Sequence, residues 1–325
     1  MTTIKDIASV AGVSHMTVSR ALNNSPQIAT STKELILKIA RELNYRPNYS
    51  AKSLVMAKSY TVGVFFSTIR HSTAPSFFQS CLLGIYHSLP KDYQLIIKDL
   101  SDGMDNLNLS RVDGVILVSQ QESDNEFIEF VQEFNVPLVV LNRQVAGVMN
   151  VLVDEVSGAM AAVEYLLRNQ RQRIAMLNGP GEIQSSIDRF NGYQQALGNA
   201  GIEFNSDYLS LDEFSVFGGY QAMRQLLQRD IVMPDAVFCA NDEMAVGALR
   251  AIREAKLAIP EDIAVVGFNN SEISQFTNPP LTTVLKPNEE MARRGCHLLF
   301  DLIESRQVAQ LNHKLNTELI VRESA

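Results

Sequence analysis

The sequence contains little cysteine and no long apolar run, and each absence excludes a class of protein. Its three cysteines, Cys81, Cys239 and Cys296, lie far apart in mostly apolar surroundings, which predicts buried free thiols. They form neither a disulfide framework nor the C-x-x-C spacing of a metal site. No apolar run approaches the roughly 18 residues of a membrane-spanning helix, and the N-terminus lacks the pattern of a signal peptide. We therefore expect a cytoplasmic protein with no membrane partner.

The sequence also lacks the short motifs of common enzymes and metal sites. No G-x-x-x-x-G-K-[ST] loop, G-x-G-x-x-G fingerprint, G-x-S-x-G elbow or H-E-x-x-H helix occurs, and the five histidines form no ligand-spaced pair. The polar residues that follow the predicted strands include few general bases, which is typical of binding rather than turnover. We expect a protein that is not an enzyme and that holds no cofactor or metal.

Charge is divided unevenly along the 325 residues. The net charge of −8 alone would argue against a nucleic-acid partner. Residues 1–58, however, carry eight Lys or Arg against three Asp or Glu, a net of +5, whereas the rest of the chain carries −13. A small basic head on a large acidic body indicates that the head is the part that binds nucleic acid.

The first helix is predicted from Ile4 to Gly12. Apolar residues recur there at helical spacing, Thr3 and Asp6 stand where a capping box is expected, and Gly12 provides the backbone freedom of a helix stop. This helix meets the next at a turn of three to four residues. Such a short connection containing glycine is the pattern of a helix-turn-helix, whose second helix enters the DNA major groove.

The second helix begins after Ser14, whose hydroxyl can cap it. Its periodicity turns three residues inward: Val13, Val18 and Leu22. It turns five residues outward: His15, Met16, Thr17, Ser19 and Arg20. A third helix is predicted over residues 30–43, with Thr30 as its cap in place of Ala29, so that three helices close the core of the head.

From Thr61 onward, short apolar runs alternate with longer segments of helical periodicity. The predicted strands are 61–67, 93–98, 113–118, 137–141, 173–178, 235–240 and 263–268, followed by strands at the T-T-V run (282–284) and at 317–321. The predicted helices are 76–89, 124–134, 155–169, 189–200, 217–228, 241–256 and 288–304. This alternation predicts parallel sheets covered on both faces, with ligands bound at the carboxyl ends of the strands.

Several segments together resemble the lac repressor/galactose repressor family over nearly the whole chain. They are AGVSHMTVSRALN, LNYRPNYSAKSL, VDGVILV, ANDEMAVGALRAI, IPEDIAVVGFNN and PPLTTV. The resemblance implies an all-α helix-turn-helix head and an α/β periplasmic-binding-protein-like core of two doubly wound parallel-sheet subdomains. The chain would cross between the subdomains near Asp154, Lys286 and Asn316. The implied boundaries are 1–47 for the DNA-binding domain, 48–59 for a hinge helix and linker, 60–154 plus 287–315 for the N-terminal subdomain, and 155–286 plus 316–325 for the C-terminal subdomain.

The resemblance also implies where DNA binds. The hinge helix would order on operator DNA and place Leu54 as a wedge in the minor groove, the alternative being a plain linker with Leu54 packed on the body. Between Asp99 and Arg111 the chain is shorter than the family pattern, which predicts a truncated helix. The implied DNA-binding residues are Ser14, His15, Met16, Thr17, Ser19, Arg20, Asn23, Tyr45, Ala51, Lys52 and Leu54.

The implied effector site lies in the cleft between the subdomains. Arg189 matches the family arginine that clamps effector hydroxyls, and Phe214 matches the aromatic residue that stacks on the effector. Core packing is the alternative for Phe78 and Phe214, and helix capping is the alternative for Asn241. The implied effector-binding residues are Phe78, Asn142, Asp154, Arg189, Phe214, Asn241, Asn269 and Lys286.

Two of these residues depart from the family pattern. Asn269 replaces a common aspartate, and Lys286 replaces a common glutamine and adds a positive charge. Both changes favour an anionic effector more than the family pattern does, but a neutral carbohydrate remains the expected ligand. A sugar phosphate and a nucleobase or nucleoside are the alternatives.

These observations predict a homodimeric transcriptional repressor that binds a near-palindromic operator and releases it when a saccharide closes the cleft. Because the chain ends soon after residues 317–321, we expect a dimer rather than a tetramer. A co-repressor mode, in which ligand tightens DNA binding, stays open. The rival class is a stand-alone sugar-binding protein of the periplasmic type, which needs an export signal and has no use for a basic head.

Overall fold

The computed structural model describes residues 2–22, 25–45, 58–69, 73–104 and 107–325. The chain divides into two compact units, Met1–Ser59 and Tyr60–Ala325, which we call the head and the body. Four of the predicted DNA-binding residues lie outside the described residues, as does most of the predicted hinge helix: Asn23, Ala51, Lys52 and Leu54.

The head contains three helices, α1 (Ile4–Ala11), α2 (His15–Leu22) and α3 (Thr30–Glu42). The predicted capping box of α1 is confirmed, since the Asp6 N–H donates to Thr3 Oγ1 and the Thr3 N–H donates to Asp6 Oδ2. Gly12 ends α1 in the left-handed region at φ 65°. Side chains from all three helices bury the core of the head: Ile7, Ala8, Val18, Ala21, Ile36, Ile39 and Ala40.

The predicted cap of α3 was wrong. Ala29 occupies the N-cap position and makes no side-chain hydrogen bond, and Thr30 is already helical. The helix is therefore held by its packing on α2 and α1 rather than by a capping hydroxyl, because most helical stability in proteins comes from a buried face.

The body is built from alternating strands and helices that form two sheets. Its elements are β1 (Thr61–Phe66), α4 (Pro75–Ser88), β2 (Gln94–Asp99), β3 (Gly114–Val118), α5 (Asn125–Glu133), β4 (Leu138–Leu141) and β5 (Met149–Val153). The chain then forms α6 (Glu155–Arg168), β6 (Ile174–Asn178), α7 (Gln184–Asn199), β7 (Leu209–Leu211), α8 (Val216–Leu227), β8 (Ala236–Cys239), α9 (Asp242–Glu254), β9 (Ala264–Asn269) and β10 (Thr282–Leu285). It ends with α10 (Asn288–Ile303), β11 (Asn312–Leu315) and β12 (Glu318–Ile320).

The two sheets have matching strand orders, β11-β5-β4-β3-β1-β2 and β12-β10-β9-β8-β6-β7. All paired strands are parallel except β10 and β12, which are antiparallel. In each sheet the chain adds one strand on one side of the first strand and then continues on the other side. The direction of strand addition therefore reverses at β1/β3 and at β6/β8. Parallel sheets of this kind bind ligands beyond the carboxyl ends of the strands at that reversal.

The chain passes between the two sheets three times. It leaves the first sheet after β5, returns between β10 and α10, which packs against β3, β4 and β5, and leaves again between β11 and β12. These passages lie at residues 154, 286–287 and 316–317. We refer to the two halves of the body that these passages join as the N-terminal and C-terminal subdomains.

Several elements differ from the sequence prediction. Three strands were missed, Met149–Val153, Leu209–Leu211 and Asn312–Leu315, and α7 begins at Gln184 rather than at 189. In the described residues between β2 and β3, the predicted truncated helix is reduced to two 3₁₀ turns, Leu100–Asp102 and Leu109–Arg111.

The predicted free cysteines are confirmed. Cys81, Cys239 and Cys296 are all buried and unpaired. Burial raises the pKa of the Cys81 and Cys296 thiols to about 12, so both remain protonated. In the described part of the chain, no helix has the length and apolarity needed to cross a membrane.

Candidate DNA-binding face and effector cavity

The exposed face of α2 presents the residues that the sequence predicted for DNA contact. Ser14 Oγ accepts a hydrogen bond from the Thr17 N–H at 3.1 Å, so the predicted cap of this helix is confirmed. His15 and Arg20 are exposed, and Met16 is 55% exposed although it is apolar. Thr17 and Ser19 are half-buried, and Tyr45 is half-buried against the core of the head. The helix thus offers a polar face with one guanidinium and one uncovered thioether.

In the body, a cavity of about 30 Å³ lies near the carboxyl ends of the strands in both sheets. It is lined by five of the eight predicted effector residues: Arg189, Phe214, Asn241, Asn269 and Lys286. The other lining residues are Ala74, Phe77, Ile183 and Ser185. This volume suits a group the size of water rather than a sugar ring.

A buried carboxylate, Glu155, joins the two cations of the cavity. Its Oε2 accepts a hydrogen bond from Arg189 Nε at 2.7 Å, and Arg189 Nη2 lies 2.7 Å from the same oxygen in a salt bridge. Its Oε1 accepts from Lys286 Nζ at 2.7 Å and from Ser185 Oγ at 3.0 Å. Lys286 Nζ also donates to Asn142 Oδ1 at 2.6 Å, and Arg189 Nη1 donates to the Ala240 carbonyl at 2.5 Å. This charge cluster links the residue that follows the first crossing to the first residue of the second.

The charge cluster keeps Glu155 ionised. Burial alone would raise the pKa of this carboxyl, but the charges of Arg189 and Lys286 outweigh that effect and lower its pKa to about 2. Burial lowers the pKa of the Lys286 ammonium below its ordinary value, Arg189 adds to that effect, and Glu155 opposes it. The arrangement therefore depends on all three side chains being present together.

Aromatic rings cover the cations of the charge cluster. The Arg189 guanidinium carbon lies 4.2 Å from the centre of the Phe268 ring and 5.8 Å from that of Phe214. Lys286 Nζ lies 4.8 Å from the centre of the Phe77 ring. Ring faces attract cations most strongly where water is excluded, so these contacts help to hold the two charges inside the protein.

The three predicted asparagines lie at or just beyond the ends of strands, but their contacts differ. Asn142 adopts φ 73° and binds Lys286 through its side-chain oxygen. Asn241 caps α9 by accepting from the Met244 N–H at 2.8 Å, which is the alternative role considered for it, and it also lines the cavity. Asn269 lines the cavity with a buried Oδ1 that has no hydrogen-bond partner among the described residues.

Two predicted effector residues lie elsewhere. Phe78 packs on the Phe66 ring, with ring centroids 4.9 Å apart, and its neighbour Phe77 lines the cavity instead. Asp154 caps α6 through the Ser157 N–H and pairs with Lys314 Nζ at 2.9 Å on the partly exposed side of the crossing. In the second case the adjacent residue, Glu155, pairs with the two cations that line the cavity.

Sequence reasoning missed three residues of the site: Phe77, Glu155 and Ser185. Phe77 and Phe78 are adjacent, so helical periodicity alone does not decide which of the two rings faces inward. Glu155 directly follows Asp154, and an acidic residue in the first turn of a helix is ordinarily a solvated one. Its two cationic partners are 34 and 131 residues away in the sequence, so no local pattern marks it.

Two hydrogen bonds close the cleft around the cavity. The Gln184 N–H at the start of α7 donates to the Gln120 carbonyl after β3 at 2.8 Å, and Ser76 Oγ on α4 donates to Glu243 Oε1 on α9. An open groove of about 1030 Å³ shares Asn269 and Lys286 with the cavity. Among the described residues, no group of three His, Cys, Asp or Glu side chains could hold a metal ion.

A small helix-turn-helix head and a two-sheet body with a polar cavity between its sheets define a ligand-responsive DNA-binding regulator. Residues 3–48 match the family described as "Bacterial regulatory proteins, lacI family", and residues 163–325 match the "Periplasmic binding protein-like domain". The chain belongs to the lacI family of bacterial regulatory proteins.

Full-length relatives and solved structures agree with this assignment. The chain is 42% identical to the probable HTH-type transcriptional repressor ExuR of Bacillus subtilis (strain 168), over 100% of this chain and 98% of the relative. It is 32% identical to the HTH-type transcriptional repressor CytR of Escherichia coli (strain K12), over 99% of this chain and 96% of the relative.

Two solved structures cover nearly the whole chain. The structure of a transcriptional regulator CelR–cellobiose complex superimposes with a TM-score of 0.75 at 31% identity, over 100% of both chains. The lac repressor dimer bound to operator and the anti-inducer ONPF superimposes with a TM-score of 0.84 at 29% identity, over 99% of this chain and 98% of that one.

Proposed function

We propose that this regulator is a cytoplasmic homodimeric repressor of a carbohydrate-use operon, and that it is not an enzyme. Paired heads bind a near-palindromic operator, since two-fold symmetric proteins read two-fold symmetric half-sites. A saccharide-type effector in the cavity releases the operator. The observation that carries the proposal is the cavity itself, in which a guanidinium, an ammonium and side-chain amides meet aromatic rings between two subdomains.

The chemistry of the cavity suits a sugar. A sugar offers hydroxyl groups at its edge, which side-chain amides and cations can bind, and C–H faces that pack on aromatic rings. We assign Arg189, Asn241, Asn269 and Lys286 to hydroxyl and ring-oxygen contacts and Phe214 to the ring face. Among relatives, a CelR structure contains cellobiose, which supports a saccharide as the ligand class.

The regulatory step follows from the closed cleft. A ligand changes operator affinity only if it binds two states of the body with different affinity. Because a sugar ring does not fit the cavity in its present volume, ligand entry changes the separation of the subdomains. We infer that this movement passes through residues 48–59 to the head.

A test of the whole proposal begins with the DNA. Purified full-length protein is used to select duplexes from a randomised pool, and the selected operator is then titrated in a gel-shift assay with a panel of saccharides. The expected result is a near-palindromic operator whose complex dissociates with one member of the panel. Failure to select any specific sequence would overturn the proposal.

The recognition helix gives a sharper prediction. The double variant His15→Gln, Met16→Ala should change the preferred half-site, because glutamine pairs with adenine edges and the apolar contact of Met16 is lost. The loss on the original half-site should be about 1–3 kcal/mol for each altered base pair, with non-specific affinity unchanged.

The matched control is Leu35→Ala on α3, where Leu35 is also an exposed apolar residue, at 47% exposure. Selection from a randomised pool should return the original half-site for the control and a new one for the double variant. An unchanged half-site in the double variant would remove His15 and Met16 from the interface.

A further inference from the structure

The charge cluster of Glu155, Arg189 and Lys286 carries an excess of one positive charge. Each of the three residues is only 3% exposed, so water does not screen them. Two further titratable groups lie near the cluster: Cys81 is buried and its thiol stays protonated, and Asp188 is half-buried, binds Gln184 and does not line the cavity. Buried charges are stable only when they are paired, so this buried cluster favours a ligand that brings one negative charge.

The two cations also keep unused hydrogen-bond donors. Arg189 has five N–H groups, of which one donates to Glu155 and one to the Ala240 carbonyl, while Nη2 lies in a salt bridge with Glu155. Lys286 has three, of which two are used by Glu155 and Asn142. Both residues line the cavity, so the remaining donors are available to an anion there without displacing Glu155.

The cavity also contains an unused acceptor. Asn269 Oδ1 is buried, has no partner among the described residues, and belongs to a residue that lines the cavity. A buried acceptor without a donor is costly, and a hydroxyl group of a ligand would satisfy it. A ligand that satisfies the whole cavity therefore carries both an anionic group and a hydroxyl.

We propose that the effector is a sugar acid, a saccharide with one carboxylate that binds Arg189 and Lys286 and a hydroxyl that donates to Asn269. A carboxylate brings one negative charge, which neutralises the excess of the charge cluster. A phosphate monoester brings about −1.5 to −2 and would leave negative charge buried in its place. This inference rests on the proposed function, in which a saccharide-type effector occupies the cavity, and narrows its ligand class.

The test compares sugars that differ only at carbon 6. Isothermal titration calorimetry of the full-length protein is performed with glucuronate against glucose, galacturonate against galactose, and the 6-phosphates of both sugars. At least one acid should bind about 100-fold more tightly than its neutral counterpart, because hydrogen bonds to charged groups are the strong ones. It should also bind more tightly than the corresponding phosphate.

A variant assigns the preference to the cavity. Lys286→Gln removes the excess charge and leaves Glu155 paired with Arg189, so the advantage of the acid over the neutral sugar should fall at least about tenfold. The matched control is Lys314→Gln, the same change of charge at a 56% exposed side chain paired with Asp154, which should keep the preference.

Any of four results would overturn the proposal that the effector is a sugar acid. They are equal or tighter binding of the neutral sugars, tighter binding of the phosphates, binding of neither acid, or an unchanged preference of Lys286→Gln for the acid over the neutral sugar. The proposed function fails separately. It falls if the protein selects no operator, whatever the calorimetry shows, and it stands without the sugar acid if a neutral saccharide releases the operator.

Discussion

Replacing Glu155 with glutamine is expected to lower the free energy of unfolding of the body by about 3–5 kcal/mol. The variant keeps the shape of the side chain but leaves Arg189 and Lys286 together in a buried site without a carboxylate. Two uncompensated buried cations are expensive because their desolvation is no longer offset by an ion pair. Chemical denaturation at neutral pH measures the effect.

The pH dependence of stability provides an independent check on this value. The pKa of Glu155 is about 2 in the folded protein against an ordinary 4.5, so its contribution is fully present above pH 4.5 and is lost as the pH falls towards 2. A shift of this size corresponds to roughly 3 kcal/mol, which agrees with the estimate from the buried pair. The variant should lack this acid-dependent loss.

The matched control for this prediction is Glu254→Gln. Glu254 pairs with Arg250 on the exposed face of α9, where water screens both charges, and its replacement should leave the unfolding midpoint almost unchanged. Equal stability of Glu155→Gln and wild type would mean that the charge cluster is not maintained in solution.

Replacing Arg189 with alanine is expected to abolish the response to effector while operator binding persists. The guanidinium is the only side chain of the cavity that can hold two ligand oxygens in one plane, and the head and its recognition helix are a separate unit. Effector affinity should fall at least about 100-fold, because a charged hydrogen-bonding group is lost from a buried site.

Arg189 also pairs with Glu155, so a loss of folding must be distinguished from a loss of binding. Arg189→Lys retains the charge beside Glu155 but loses the planar fork, and should fold like wild type with a similar loss of effector response. Arg173→Ala, at a surface ion pair with Asp235, controls for removal of an arginine. Normal release of operator by effector in either Arg189 variant would place the effector elsewhere.

The sequence predicts the parts of this protein whose causes are local. The head is specified by a capping box, a glycine stop and helical spacing within a few residues of each other, and all three occur as predicted. Strands buried on both faces, such as β3 and β6, read as continuous apolar runs. The edge strands Leu209–Leu211 and Asn312–Leu315 are short and partly exposed, so they lack that signal.

The charge cluster could not be predicted because its causes are not local. Glu155 follows β5 in the N-terminal sheet, Lys286 follows β10 in the C-terminal sheet, and Arg189 lies in the middle of α7. Only the pairing order of the strands brings the three together. The resemblance to a family identified Arg189 and Lys286 one by one, but their shared carboxylate became visible only in the structure.

Two members of the charge cluster lie at or next to the crossings between the subdomains. Glu155 directly follows the first crossing and Lys286 lies in the second, while the Asp154 carbonyl accepts a hydrogen bond from Thr317 of the third at 3.1 Å. In the proposed function, a ligand bound in the cavity therefore acts at the crossings rather than at the rim of the cleft. Because the subdomains are joined at the crossings, a small displacement there would move the distant ends of the subdomains much farther.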